Sequence, residues 1–279
     1  MKSGSFTRQS ILVALVIFFA FPLLGLSFWY KYASKETGMA ILFLGNSYTS
    51  NNSLPTLFQN IADSAGYDRP AVSAYTPGGY TFNLFLADPA AQALIKSGEK
   101  QWEVVILQEQ SEIPAYSSAN PTLQRSSITA AVGLARLIKQ SNPHARIILF
   151  ETWARDARLW RTNVVNTDGV GANSDEMQTR LRLWYEEAAN AMSASIGEPI
   201  SIARVGDLWQ TNYHSARPIQ LHDKDGSHPN PAGSYLAALE IFSEVYRTSP
   251  QKAQYQGELT HANMTALKNI VIQHYTNVP

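Results

Sequence analysis

Five short runs of continuous apolar residues recur along this chain and limit its possible folds more than any other feature. They are AILFLG (40–45), AVSAY (71–75), EVVILQ (103–108), RIILFE (146–151) and SIARV (201–205). Strands that alternate apolar and polar residues expose one face to water. Runs that stay apolar throughout are covered on both faces, as in parallel sheets. Between them lie stretches with helical periodicity: Leu54–Ala65, Phe82–Lys96, Leu123–Gln140 and Glu176–Ala194, with Pro231–Tyr246 and Leu259–Tyr275 after the last strand. Strand–helix alternation of this kind predicts an α/β fold with a doubly wound, mostly parallel sheet of about five strands between two helical layers. Residues 154–174 lack clear periodicity and are rich in Arg, Asn and Gly, so a long surface excursion is expected there.

The start of the chain has a different character. From Ile11 to Tyr30 there are 20 residues without a charge. As a helix they would span about 30 Å, the thickness of a bilayer core. Lys2 and Arg8 precede the run, and Phe28, Trp29 and Tyr30 close it like an interfacial belt. A cleaved signal peptide would carry a shorter apolar region and a small-x-small site, which these aromatics do not provide. A buried core helix is a poor fit to 20 uncharged residues. The expected organisation is an N-terminal signal anchor with a short linker over residues 1–38 (transmembrane 11–30) and one α/β domain over 39–279. That domain would lie outside the cytoplasm, at the cell surface or in a periplasm.

Composition narrows the chemistry. The whole chain holds 22 basic and 22 acidic residues, and from Gly38 onward 18 basic residues face 21 acidic ones. Nucleic-acid binding needs a basic surplus, so it is not the expected role. There are no cysteines. That excludes disulfides, thiolate metal sites and a cysteine nucleophile together.

In open α/β sheets, ligands bind beyond the carboxyl ends of the strands. Gly45-Asn46-Ser47 follows the first run, Thr76-Pro77-Gly78-Gly79 the second, Gln108-Glu109-Gln110-Ser111 the third and Glu151-Thr152-Trp153 the fourth. Ser47 is placed to act as a nucleophile if a base takes its proton, although a serine there also suits a helix N-cap. Late in the chain stands Asp225-Gly226-Ser227-His228-Pro229-Asn230-Pro231. His228 suits a general base near neutral pH, and an acid three residues earlier can hold its second ring nitrogen. Gly79 can offer an unobstructed N–H to an oxyanion, and Gln108 or Gln110 can offer a carboxamide. Trp153, just past a strand, is a candidate wall against which a sugar stacks. His222, Asp223, Asp225 and His228 could together suggest a metal site, but two of them already serve the serine reading, and no metal is expected.

Together these segments resemble the SGNH hydrolases, also called GDSL-like esterases and lipases, over roughly residues 40–246. LGNSYTS stands where the family's first block carries its serine, with Asn46 in place of the common Asp. GGYTFNL matches the second block at Gly79, and Asp225-x-x-His228-Pro229 matches the fifth closely. The third block departs: LQEQS replaces the usual Gly-x-Asn-Asp and looks more like the glutamine-containing version of carbohydrate acetylesterases.

The resemblance implies a flavodoxin-like three-layer α/β/α sandwich and a two-step ester hydrolysis without metal or organic cofactor. Ser47 would attack, His228 would serve as base and Asp225 would orient it. The Ser47 and Gly79 N–H groups and a Gln108 or Gln110 side chain would hold the oxyanion. Strand alternation would point both glutamines the same way, so the sequence leaves the choice between them open. The favoured substrate is a small or glycan ester, above all a carbohydrate O-acetyl ester. A non-catalytic glycan-binding module and an acetyltransferase with the same triad are the rivals. Oligomeric state is not legible.

Overall fold

A computed structural model describes residues 38–97, 101–117, 120–162 and 169–277. The expected membrane anchor falls outside the described residues. Among the described residues no helix is long and apolar enough to cross a membrane.

Five strands form one sheet: β1 (Gly38–Leu44), β2 (Pro70–Tyr75), β3 (Val104–Leu107), β4 (Arg146–Phe150) and β5 (Ser201–Ala203). Their order is β2-β1-β3-β4-β5 and every pairing is parallel. This is the flavodoxin-like order, with its topological switch between β1 and β3. Around the sheet run α1 (Ser47–Ser50), α2 (Leu54–Ser64), α3 (Phe82–Ala87), α4 (Pro89–Ile95), α5 (Ile113–Ser117), α6 (Pro121–Ser141), α7 (Arg158–Thr162), α8 (Ser174–Ile196), α9 (Val205–Tyr213), α10 (Pro231–Tyr246) and α11 (His261–Asn277).

The continuous apolar runs feed two cores because successive strand residues point to opposite faces. Ile41, Phe43, Val104, Ile106 and Ile148 pack under α2, α10 and α11. Leu42, Leu44, Val105, Leu107 and Leu149 pack under α3, α4, α6 and α8. Full burial of each such side chain is worth about 1.5–3 kcal/mol over leaving it in water. The three-layer expectation is met, and its strands fall on the five apolar runs.

The differences are local. The helix expected over Phe82–Lys96 is two helices. Asp88 ends the first and caps the second, its Oδ1 accepting from the Ala90 N–H at 2.8 Å. Pro89 forces this break, since the residue before a proline is steered out of helical geometry. The fifth strand is shorter than its run, because Arg204 caps α9 and Val205 opens it. Part of the expected excursion after residue 154 is helical, as α7.

Candidate active site

Ser47 is the first residue of α1, where the chain turns off the carboxyl end of β1. The turn is tight enough to require Gly45: a Cβ there would stand 2.3 Å from Thr49 Oγ1 and 2.8 Å from Gln108 Oε1. Asn46 caps the helix, its Oδ1 accepting from the Tyr48 N–H at 3.1 Å. Its own N–H donates to Gln108 Oε1 at 3.0 Å, and its Nδ2 donates to the Tyr80 carbonyl at 3.0 Å. A carboxylate could cap the helix but could not make that last bond. Asn46 in place of the common Asp therefore ties the nucleophile turn to the loop after β2.

The loop between Leu221 and α10 carries Asp225 and His228. His228 Nε2 lies 2.9 Å from Ser47 Oγ, and His228 Nδ1 lies 2.5 Å from Asp225 Oδ2. The other Asp225 oxygen accepts from the Ser227 and His228 N–H groups, each at 2.9 Å. Burial works to raise the Asp225 pKa. The hydrogen bonds from the His228 side chain and the two backbone N–H groups outweigh it and hold the carboxyl below its ordinary value. Gly226, at φ +70°, makes the sharp turn between the two residues. Asn230 then caps α10 by accepting from Ala232 and Gly233, with Pro231 as its first residue.

A hydroxyl, an imidazole and a carboxylate in series can move a proton from the serine as it attacks a carbonyl and hold the imidazolium that results. The Ser47 N–H has no acceptor among the described residues, and neither has the Gly79 N–H. Gly79 sits at φ +71° with open space around its Cβ position, so backbone conformation rather than crowding calls for glycine.

The two glutamines have different environments. Both lie beyond the end of β3, so strand alternation does not relate them. Gln108 is fully buried. Its Oε1 accepts from the Asn46 N–H and from Thr49 Oγ1, while its Nε2 donates to the Glu109 carbonyl at 2.5 Å. With 0% exposure and both ends of its carboxamide engaged, it presents no donor to an open site, and the expectation for Gln108 is corrected: it braces the turn that carries Ser47. Gln110 is partly exposed. Its Oε1 accepts from the Glu112 and Ile113 N–H groups at 2.8 and 3.0 Å, which aligns its carboxamide and leaves Nε2 with only a 3.5 Å contact to Glu112.

Trp153 is also corrected. It is 0% exposed, stacked on Tyr48 on one side (ring centroids 4.6 Å apart, 5° between planes) and on Trp209 on the other (4.0 Å, 5°). With both faces covered it offers no surface to a sugar. Its Nε1 donates to the Ser227 carbonyl at 3.0 Å, so it supports the acid–base loop from beneath.

Glu109 is buried and accepts from the Phe82 and Gln110 N–H groups. Burial pushes its pKa up to about 8 against those hydrogen bonds. It clamps the loop after β2 to the loop after β3. His222 is committed to Tyr213 Oη at 2.7 Å and the Ala154 carbonyl at 3.0 Å. Among the described residues no cluster of metal-ligating side chains forms. Beyond the Trp153–Trp209 stack lies a cavity of about 490 Å³, bordered among others by Arg155, Arg158, Gln210 and Tyr213.

Sequence reasoning missed Tyr48 and Ser227, whose hydroxyls meet at 2.6 Å. The available signal was an aromatic residue directly after the nucleophile in a turn otherwise made of small residues.

No family model matches the chain, and no curated protein matches it in sequence. Solved structures do share its fold. A protein of Parabacteroides merdae provisionally assigned as a GDSL-like lipase superposes with a TM-score of 0.52 at 15% identity, covering 75% of this chain and 95% of the other. One from Streptococcus pneumonia, provisionally assigned as a platelet activating factor, gives 0.53 at 15% identity, covering 87% and 100%. The acetyl xylan esterase AlAXEase gives 0.50 at 13% identity, covering 74% and 100%. The fold is therefore the one found in GDSL-like, or SGNH, hydrolases. At these identities the likeness speaks for architecture, and the chemistry of this chain rests on its own residues.

Proposed function

We propose that this chain is a serine ester hydrolase of SGNH type. The observation that carries the reading is the unbroken series Ser47 Oγ, His228 Nε2, His228 Nδ1, Asp225 Oδ2, with links of 2.9 and 2.5 Å. Ser47 attacks the ester carbonyl while its proton passes to His228. Asp225 holds the imidazole in the tautomer that presents Nε2 as acceptor and then stabilises the imidazolium. The Ser47 and Gly79 N–H groups and Gln110 Nε2 receive the developing oxyanion. The alcohol leaves with the proton from His228, and water, activated by the same base, releases the acid.

An O-acetyl ester of a carbohydrate is the proposed substrate class. The glutamine-containing loop after β3 supports it, and an acetyl xylan esterase is among the proteins that share the fold. The uncharged run at 11–30 supports a place outside the cytoplasm on a membrane anchor. Retention of the full chain in membranes through an alkaline carbonate wash tests the anchor. Hydrolysis of a chromogenic acetyl ester by wild type and Ser47→Ala tests the activity. Turnover by Ser47→Ala at the wild-type rate would end the esterase reading.

A further inference from the structure

The two halves of the site meet only where loops approach one another, and their separation must hold to a few tenths of an ångström for proton transfer. Ser47 stands on a buried turn. His228 stands on a loop whose functional side chains are open to solvent, with His228 35% and Asp225 50% exposed. Much of the bonding in this loop is internal: Asp223 N–H to the His228 carbonyl, Gly226 N–H to the Asp223 carbonyl, and Asp225 to the next residues. These bonds define the loop's shape but not its distance from Ser47.

The loop is tied to the rest of the fold at the Gly226 carbonyl, which accepts from the Asp156 N–H at 2.9 Å, at the Pro229 carbonyl, which accepts from Asn52 Nδ2 at 2.9 Å, and at Ser227. Its carbonyl accepts from Trp153 Nε1 at 3.0 Å, and its hydroxyl meets Tyr48 Oη at 2.6 Å. Tyr48 is the residue after the nucleophile, and Ser227 is the residue before the base. Tyr48 is only 3% exposed, its ring lies flat on Trp153, and its edge approaches the His228 ring at 5.4 Å between centroids. The stack continues through Trp209 to His222, which bridges to Pro229 just after the base. Burial and the stack on Trp153 hold the tyrosine ring in place. Burial also raises the pKa of its hydroxyl, which stays protonated and available as a donor.

We propose that Tyr48 is a positioning residue: its hydroxyl, acting through Ser227, fixes where His228 meets Ser47. This rests on the hydrolase reading and deepens it. Tyr48→Phe removes one oxygen, with its bonds to Ser227 and Ser111, and keeps the ring and its stack, so it separates the hydroxyl from the packing. Ser227→Ala removes the Ser227 bond alone.

The test measures kcat and KM of the full chain on a chromogenic acetyl ester for wild type, Tyr48→Phe, Ser227→Ala and the double variant. The ¹⁵N ring shifts of His228, which report its tautomer and hydrogen bonds, are recorded for the same four proteins. The expected result is a fall in kcat of about tenfold in each single variant, with KM within twofold. The double variant should be no slower than either single one, and the His228 shifts should be displaced alike in all three. Wild-type kcat in Tyr48→Phe, losses that multiply in the double variant, or His228 shifts that superpose on wild type would each overturn the proposal. The shifts need no turnover, so they decide this inference even if Ser47→Ala shows that the hydrolase reading fails.

Discussion

The nucleophile turn and the acid–base loop complete one site but are built in opposite ways. At the turn, Gly45, Asn46, Tyr48 and Thr49 are buried or nearly so, and Gln108 holds the backbone from behind with two accepted hydrogen bonds. On the loop, Asp225 and His228 are open to solvent and hold each other, while support comes from beneath through Ser227. The difference teaches where each half is vulnerable. The turn carries its precision in buried polar groups, so its variants should lose fold and rate together. The loop carries its chemistry in exposed side chains, so its variants should lose rate alone.

The largest effect expected on that basis lies on the loop. His228→Ala should lower kcat by at least about 10⁴-fold, and Asp225→Asn by about the same order because the wrong tautomer is then favoured. Both should keep the thermal midpoint of wild type to within a few degrees, read by calorimetry beside the kinetics. A large drop in midpoint would erase the contrast between the two halves.

The glutamines sharpen it. Gln108→Ala strands the buried Asn46 N–H and should destabilise the fold by about 1–3 kcal/mol, with slower turnover, measured by urea unfolding and acetyl-ester assay. Gln110→Ala should leave stability nearer wild type and lower kcat by on the order of 10²-fold through loss of an oxyanion donor. The reverse assignment would place Gln108 at the oxyanion.

Next comes the pH dependence of stability. Glu109 has a folded pKa near 8, above its ordinary value of 4.5. Its contribution is fully present at acid pH and is lost as pH rises from about 4.5 through 8. His222 is buried with its pKa lowered from 6.5 to about 4, so its contribution is lost as pH falls through that window. Glu109→Gln should flatten the alkaline side of a thermal-midpoint curve and leave the acid side in place. An unchanged alkaline slope would contradict the buried clamp.

The smallest effect is expected from Asn46→Asp. The cap survives, the bond to the Tyr80 carbonyl is lost, and kcat should fall only a few-fold, with a stability change of about 1 kcal/mol. A loss as large as that of Gln108→Ala would mean that the tie between the two loops matters more than the brace behind the turn.

Much of this was written in local sequence. The apolar runs marked the strands because coverage on both faces removes polar positions. Asp225-x-x-His228 with Pro231 marked the acid–base loop because a short spacing and a helix start are local facts. Gln108 and Gln110 could not be told apart, since the answer depends on β3 ending at Leu107 and on the route the chain takes next. Trp153 resembled a site wall because it follows a strand. Only the packing of α9 and the nucleophile turn against it shows that both of its faces are covered. Tyr48 and Ser227 lie 179 residues apart, and no local pattern pairs them.

The central claim is that Ser47 is an activated nucleophile. Treatment of the full chain with a fluorophosphonate, followed by peptide mass spectrometry, tests it most directly. A single phosphonyl adduct on Ser47, formed in wild type and absent from His228→Ala, is the expected result. An unmodified Ser47, or labelling that persists without His228, would contradict it.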